Sequence, residues 1–293
     1  MAATGSRKKP KCYVHENGFI MPPVFPPDNF GSAISYCPQP SDVFICTYPK
    51  CGTTWMQNIL YLLLNQGSAL QPSQNINDYV PHLEEVGADV VKNLPQPRTI
   101  KTHLHFDLVP KSNDAKYIYI TRNPKDCCVS FFYHCKGFGR NCDFEDGIFD
   151  DFFEAFIQGE VHYGDYFDHL LSWIAHKEDP NILFLLYEDM KSDPEGNIKK
   201  VGEFLGEPFS KSTRDPLILE NVLRNCSFEA MKKAPSSCWS TEQSKDSPGF
   251  IRSGRIGNWR EHFTVEQNKL MNEKFKKTLA GTEAEFLWSK YCI

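Results

Sequence analysis

The chain has 293 residues, 41% of them hydrophobic and 24% charged, with a formal net charge of -5 at pH 7. This is a globular composition, which excludes a disordered or collagen-like chain. The acidic balance also excludes electrostatic binding of the whole molecule to nucleic acid, which needs a basic excess against the phosphates.

The chain opens with a basic patch, Arg7-Lys8-Lys9-Pro10-Lys11, which reads as a solvated tail. No apolar stretch of signal-peptide type follows it. The 11 cysteines are odd in number and form no C-x-x-C pair. That usage predicts free thiols in a reducing, cytoplasmic setting, and the spacings of a structural zinc site are missing. Residues 1–41 are punctuated by Pro22-Pro23, Pro26-Pro27, Pro38 and Pro40, and predict an extended arm laid over a body.

The run Asp42–Tyr48 predicts a buried strand. Pro49-Lys-Cys-Gly-Thr-Thr-Trp55 predicts a turn, and a helix follows with Trp55, Ile59, Leu60 and Leu63 on one face. Its apolar run Ile59–Leu64 is far shorter than the roughly 20 residues of a membrane helix, and Gly67 stops it. Strands follow at Arg98–Thr102, Lys116–Thr121 and Asn181–Tyr187. Helices are predicted from Cys127 to His134, from about Asp165 to His176, and from Pro194 to Leu205. Strands alternating with helices argue for an α/β fold with a mostly parallel central sheet flanked by helices. No linker divides the chain, so one domain is expected over 1–293.

Four stretches carry chemistry. The first is the strand–turn–helix around Lys50. A helix N-terminus offers unpaired N–H groups and the positive end of a dipole, which suits a phosphate or sulfate. Gly52 lets the backbone approach, Lys50 adds charge, and Thr53 and Thr54 add hydroxyl donors. The logic is that of a P-loop, but Lys50 precedes the single glycine instead of following a second one. The second is Lys101-Thr-His103, just past a strand, where ligands of open parallel sheets sit and where histidine is the usual base near neutral pH. The third is Thr121-Arg122-Asn-Pro-Lys-Asp126 with Ser130 two turns on. The fourth is Phe250-Ile-Arg252-Ser-Gly254-Arg255-Ile-Gly257-Asn-Trp259, whose two guanidinium groups and two glycines suit a loop wrapped around an anion.

Together these stretches resemble the cytosolic sulfotransferase family. Tyr48–Trp55 is similar to its 5′-phosphosulfate loop, Lys101-Thr-His103 to its catalytic strand end, and Arg122–Asp126 with Ser130 to its 3′-phosphate element. Leu186-Tyr-Glu-Asp-Met190 and Arg252-Ser-Gly254 with Gly257-Asn-Trp259 match two further stretches, in family order. The resemblance implies transfer of a sulfuryl group from 3′-phosphoadenosine 5′-phosphosulfate (PAPS) to the hydroxyl or amine of a small acceptor, phenolic or catecholic before steroids and other small alcohols. The product nucleotide would be the 3′,5′-bisphosphate, PAP, and no metal would be needed.

It further implies that Lys50, Cys51, Gly52, Thr53 and Thr54 hold the 5′-phosphate end. Trp55 and Phe228 would stack on adenine, with Tyr187 and Cys226 nearby. Arg122, Ser130, Ile251, Arg252, Ser253 and Gly254 would hold the 3′-phosphate side. His103 would be the general base, with Lys50 and Lys101 stabilising charge. An acceptor pocket is expected from Phe19, Tyr79, Val80, Pro81, Phe131 and Phe138, beside Lys101 and His103.

Three positions depart from the family pattern: Cys51 for serine, Ser253 for lysine, and Cys226 for threonine or serine. Arg255 is a candidate replacement for the cation missing at 253. The family's dimer motif is altered, with Arg260 and Lys269 around Thr264-Val265, so a monomer or weak homodimer is expected. Cys51, at a helix start beside Lys50, is expected to be a reactive thiol. Two other readings stay open: a PAP-binding relative with little catalysis, and a nucleotide or metabolite kinase.

Overall fold

The computed structural model describes residues 8–137, 142–239 and 249–291. Two short strands, β1 (Tyr13–Val14) and β2 (Ile20–Met21), pair antiparallel. Helix α1 (Pro27–Ile34) follows, with Pro27 at its first position, where a missing N–H costs nothing. The arm is therefore a hairpin and a helix instead of a plain extended segment. Lys8 and Lys9 of the basic patch do not float free, since they pair with Asp146 and Glu160 on the body.

The main sheet has strands β3 (Val43–Thr47), β4 (Thr99–Thr102), β5 (Lys116–Thr121) and β6 (Ile182–Leu186). They lie in the order β4-β3-β5-β6, and every pair is parallel. Alternating side chains separate into two cores, as the strand period of two requires. Phe44, Cys46, Tyr117 and Tyr119 pack into one, and Val43, Ile45, Ile118 and Ile120 into the other. This double burial is why the strands read as continuous apolar runs.

The register fixes where the site lies. Cys46 pairs with Thr102, Thr47 with Ile120, and Thr121 with Leu186. The carboxyl ends of all four strands therefore come level, and the residues after each one emerge along a single edge. Those residues are Tyr48–Gly52, His103, Arg122 and Tyr187. From β3 the chain goes to β4 on one side, then crosses back to β5 on the other side of β3, and the crevice opens at that edge where the strand order reverses.

Helix α2 (Thr53–Leu64) begins immediately after the β3 loop, and Gly67 sits past its end at φ +80°. Helix α3 (Leu83–Lys92) is broken at Gly87, so its first turn is set apart from the rest. Helix α4 (Pro124–Gly137) starts two residues after Arg122 and runs through Ser130. Further helices at Tyr166–Ile174 and Pro194–Leu205 fall within a residue or two of the sequence expectation. Asp165 and Asp193 cap them by accepting from first-turn N–H groups, contacts typically worth about 1 kcal/mol each. No helix among the described residues is long and apolar enough to cross a membrane.

Candidate active site

A cavity of about 450 Å³ opens at the strand ends. It is lined by Lys50, Gly52, Thr53, Thr54 and Trp55 from the first loop and helix, and by Lys101 and His103 after β4. Arg122, Ser130 and Phe131 come from β5 and α4, Tyr187 follows β6, and Cys226, Phe228 and Ile251–Gly254 come from later in the chain. The sheet edge thus brings together stretches that lie up to two hundred residues apart.

The first loop is built to leave donors exposed. Lys50 has φ +69° and Gly52 φ +110°, so the chain turns sharply into α2. A Cβ at Gly52 would stand 3.0 Å from the Tyr187 ring, so glycine is required by both conformation and space. No side chain caps α2. Its first N–H groups therefore face the cavity as an anion cradle. The Lys50 ammonium lies 4.5 Å from the centre of the Phe250 ring. Burial, together with the charge of Arg122, brings its pKa down to about 8. Lys101 donates to Asn77 Oδ1 at 2.8 Å, and burial brings it down to about 8 as well.

His103 is fixed from three directions. Its backbone N–H donates to Glu84 Oε1 at 2.7 Å. Its Nδ1 lies 2.7 Å from the Thr47 carbonyl oxygen and 3.1 Å from Thr47 Oγ1, which in turn meets Thr53 Oγ1 at 2.7 Å. A carbonyl only accepts, so Nδ1 carries the proton and Nε2 keeps its lone pair. Burial, reinforced by neighbouring His82, pushes the imidazole down to about 3, so the ring is neutral at ordinary pH.

Two guanidinium groups form another wall. Arg122 is 6% exposed, donates through Nη2 to the Arg255 carbonyl at 3.1 Å, and lies 4.5 Å from the centre of the Tyr187 ring. Arg252 donates through Nη2 to Asn258 Oδ1 at 2.7 Å. The Nε of each is buried without a partner, which is costly unless a ligand satisfies it. Asp126 ties the two stretches together by accepting from Gly257 N at 2.7 Å and Trp259 N at 2.9 Å. Glu188 braces the same corner through Asn123 and Trp288. Gly254 has φ +60°, and a Cβ there would meet the Phe228 ring at 2.6 Å.

Several expectations are corrected. Cys51 is fully buried, and its thiol points at Cys127 Sγ, 3.7 Å away, so it neither lines the cavity nor sits open to reagents. Arg255, the candidate replacement for the cation missing at 253, is not among the residues lining the cavity, and its exposed guanidinium pairs with Glu261 at 2.9 Å. Phe19 stacks on Phe30 in the core, Tyr79 packs on Tyr61, and Val80 is buried in the second core. Pro81 is buried, with its carbonyl accepting from Lys101 N. None of these four lines the cavity, and Phe138 lies outside the described residues.

The corresponding wall is made instead by His82, Glu85, His134, His162 and Tyr163, with Pro22, Val24 and Phe25 of the arm. Sequence reasoning missed these and the Glu84 brace. One signal was available: His82 forms a parallel bridge with Lys101, extending the sheet beside β4, and the segment 79–82 reads as extended.

A sequence profile described as "Sulfotransferase domain" matches residues 40–283. The chain is 36% identical over 275 residues to human Sulfotransferase 1C2, covering 88% of this chain and 90% of that one. It is 35% identical to mouse Sulfotransferase 1 family member D1, again over 88% and 90% of the two chains. Among solved structures it is similar to mouse sulfotransferase SULT7A1 complexed with PAP, with TM-score 0.76, 28% identity, and 96% and 98% coverage. It is also similar to retinol dehydratase in a complex with retinol and PAP, with TM-score 0.74, 25% identity, and 92% and 89% coverage. The match extends across the loops that build the cavity, and on that ground the chain belongs to the sulfotransferase family.

Proposed function

We propose that the protein moves a sulfuryl group from PAPS to the hydroxyl of a small phenolic or catecholic acceptor, with His103 as general base. The observation that carries this reading is the locked tautomer: the Thr47 carbonyl holds the Nδ1 proton and leaves Nε2 of a neutral ring free beside Lys50 and Lys101. The PAP complexes of two structural relatives support PAPS as the donor.

The roles follow from the chemistry of each group. The α2 N-terminus, Thr53 and Thr54 would hold the 5′-phosphosulfate. The unpartnered Nε–H groups of Arg122 and Arg252, with Ser130 and the 252–254 backbone, would meet the 3′-phosphate. Adenine would enter between Trp55 and Phe228, against Tyr187.

In the transfer, the acceptor oxygen forms a bond to sulfur in line with the breaking bond from sulfur to the phosphate oxygen. The acceptor proton passes to His103 Nε2. The electron pair of the breaking bond stays on the phosphate oxygen, where the Lys50 ammonium meets it. Positioning and charge stabilisation carry most of such a reaction, which leaves the protein little covalent work.

Thermal unfolding with nucleotides tests the donor assignment. PAP at a hundredfold excess over its Kd should stabilise the fold by about 2.7 kcal/mol, a rise of several degrees in Tm. ATP with magnesium lacks the 3′-phosphate that Arg122 and Arg252 would read, and should shift Tm much less. Equal shifts would remove the donor assignment.

A further inference from the structure

Glu85 stands out in the cavity by its charge. Lys50, Lys101, Arg122, Lys191 and Arg252 give the described lining its cations, and Glu85 is its one carboxylate. A carboxylate among the groups that hold a multiply charged anion would repel it. Glu85 is placed away from the arginines, on the first turn of α3.

The backbone fixes that position. Glu85 N–H donates to the His82 carbonyl at 3.0 Å, and the Glu85 carbonyl accepts from Asn29 Nδ2 at 2.6 Å. The break at Gly87 frees this turn from the helix beyond it. The side chain is about half exposed, with Oε2 3.9 Å from His82 Nδ1. The His82 ring meets the His103 ring edge to face, with centres 4.9 Å apart. One imidazole therefore separates the carboxylate from the base that would take the acceptor proton. The charged or titratable groups facing Glu85 are His82, Lys101 and Tyr163; Glu84 meets the Nε2 side of the His82 ring, and the Lys101 ammonium is directed to Asn77.

We propose that Glu85 selects acceptors carrying a cationic amine on a short tether from the hydroxyl-bearing ring, and disfavours those carrying a carboxylate there. This rests on the sulfuryl-transfer reading above. A hydroxyl held at His103 would leave its ring near His82, and a cationic tail of a few bonds on that ring would come within reach of Glu85. The attraction is screened, because the carboxylate is half exposed, and a fewfold preference is the scale expected of such a pair.

The experiment uses three phenols of similar acidity, with a para aminoethyl, ethyl or carboxyethyl tail. For the full-length protein, kcat/KM should fall in the order amine, neutral, acid, by about three- to fivefold per step. Glu85→Gln should bring the amine-to-neutral ratio close to one, and Glu85→Lys should invert the order. Higher salt should shrink the wild-type ratio. The alternative is that Glu85 only offsets the charge of Lys101. Removing it would then change all three phenols alike, and that outcome overturns the proposal.

Calorimetric titration of the same phenols into PAP-saturated protein reads selection without turnover. A Kd order that follows the tail, and that Glu85→Lys inverts, upholds the Glu85 proposal even if no sulfate is transferred, in which case the transfer reading alone fails. Tail-independent Kd values together with tail-independent rates remove the Glu85 proposal and leave the transfer reading standing.

Discussion

Replacing His103 by alanine should lower kcat by about 10² to 10⁴ with ordinary phenols, the usual worth of a general base. PAP binding should stay within a fewfold of normal. A phenol acidic enough to be ionised at assay pH has no proton to give, and should recover part of the loss. The dependence on phenol acidity is what separates a base from a structural residue. His103 does have structural contacts, since its ring donates to the Thr47 carbonyl, and removing it leaves that acceptor without its partner. Melting temperatures measured alongside keep the two effects apart. Equal loss across the phenol series, with a large fall in Tm, would reject the role.

The pH dependence has a definite sign. The folded state holds His103 near 3, below the ordinary imidazole value of about 6.5, so it disfavours the protonated ring. The stability linked to this ring is complete above about 6.5 and falls as pH drops toward 3. The ring is also deprotonated, with the Nε2 lone pair available, throughout the neutral range. The acid limb that His103 contributes to kcat/KM for the donor, which reports the free enzyme, should therefore lie well below 6.5.

Lys50→Met should lower kcat by about 10² to 10³ with every acceptor, acidic or not, the scale on which a transition-state charge partner acts. Methionine keeps a side chain of similar length beside Phe250 and replaces the ammonium over that ring with an uncharged end. With Lys50 near 8 in the free protein, only about half of the molecules carry its proton at pH 8. A bound bisphosphate favours the charged form, so PAP binding at pH 8 should take up protons and weaken as pH rises further. Calorimetry in buffers of different ionisation enthalpy measures that uptake. Lys50→Met should reduce it without abolishing it, because Lys101 also lies near 8. A loss confined to weakly acidic phenols would instead place Lys50 on the acceptor side.

The sheet was legible because strands buried on both faces must be apolar throughout, as Phe44–Cys46 and Tyr117–Ile120 are. The convergence of the residues expected on the donor side was legible for a related reason. These groups directly follow strands or open helices, so local spacing carries their placement, and Lys50, Gly52, His103 and Arg122 all reach the cavity. The acceptor wall is different. It is assembled from the arm, the 77–85 segment, α4 and residues 142–163, and nothing local says which side chain of each turns inward. Val80 and His82 show the difficulty, since two residues apart one enters the core and the other the cavity. Cys51 failed for a similar reason: its backbone lies in the anion loop, while its side chain points back to Cys127 beneath it.

The most direct test is transfer itself. The purified protein would be incubated with PAPS carrying labelled sulfur and a panel of phenols, catechols and phenolic amines, without added metal. Sulfuryl transfer by this site predicts labelled aryl sulfate and an equal amount of PAP, with His103→Ala and Lys50→Met each suppressing both. Tight PAP binding with no labelled product from any acceptor would contradict it.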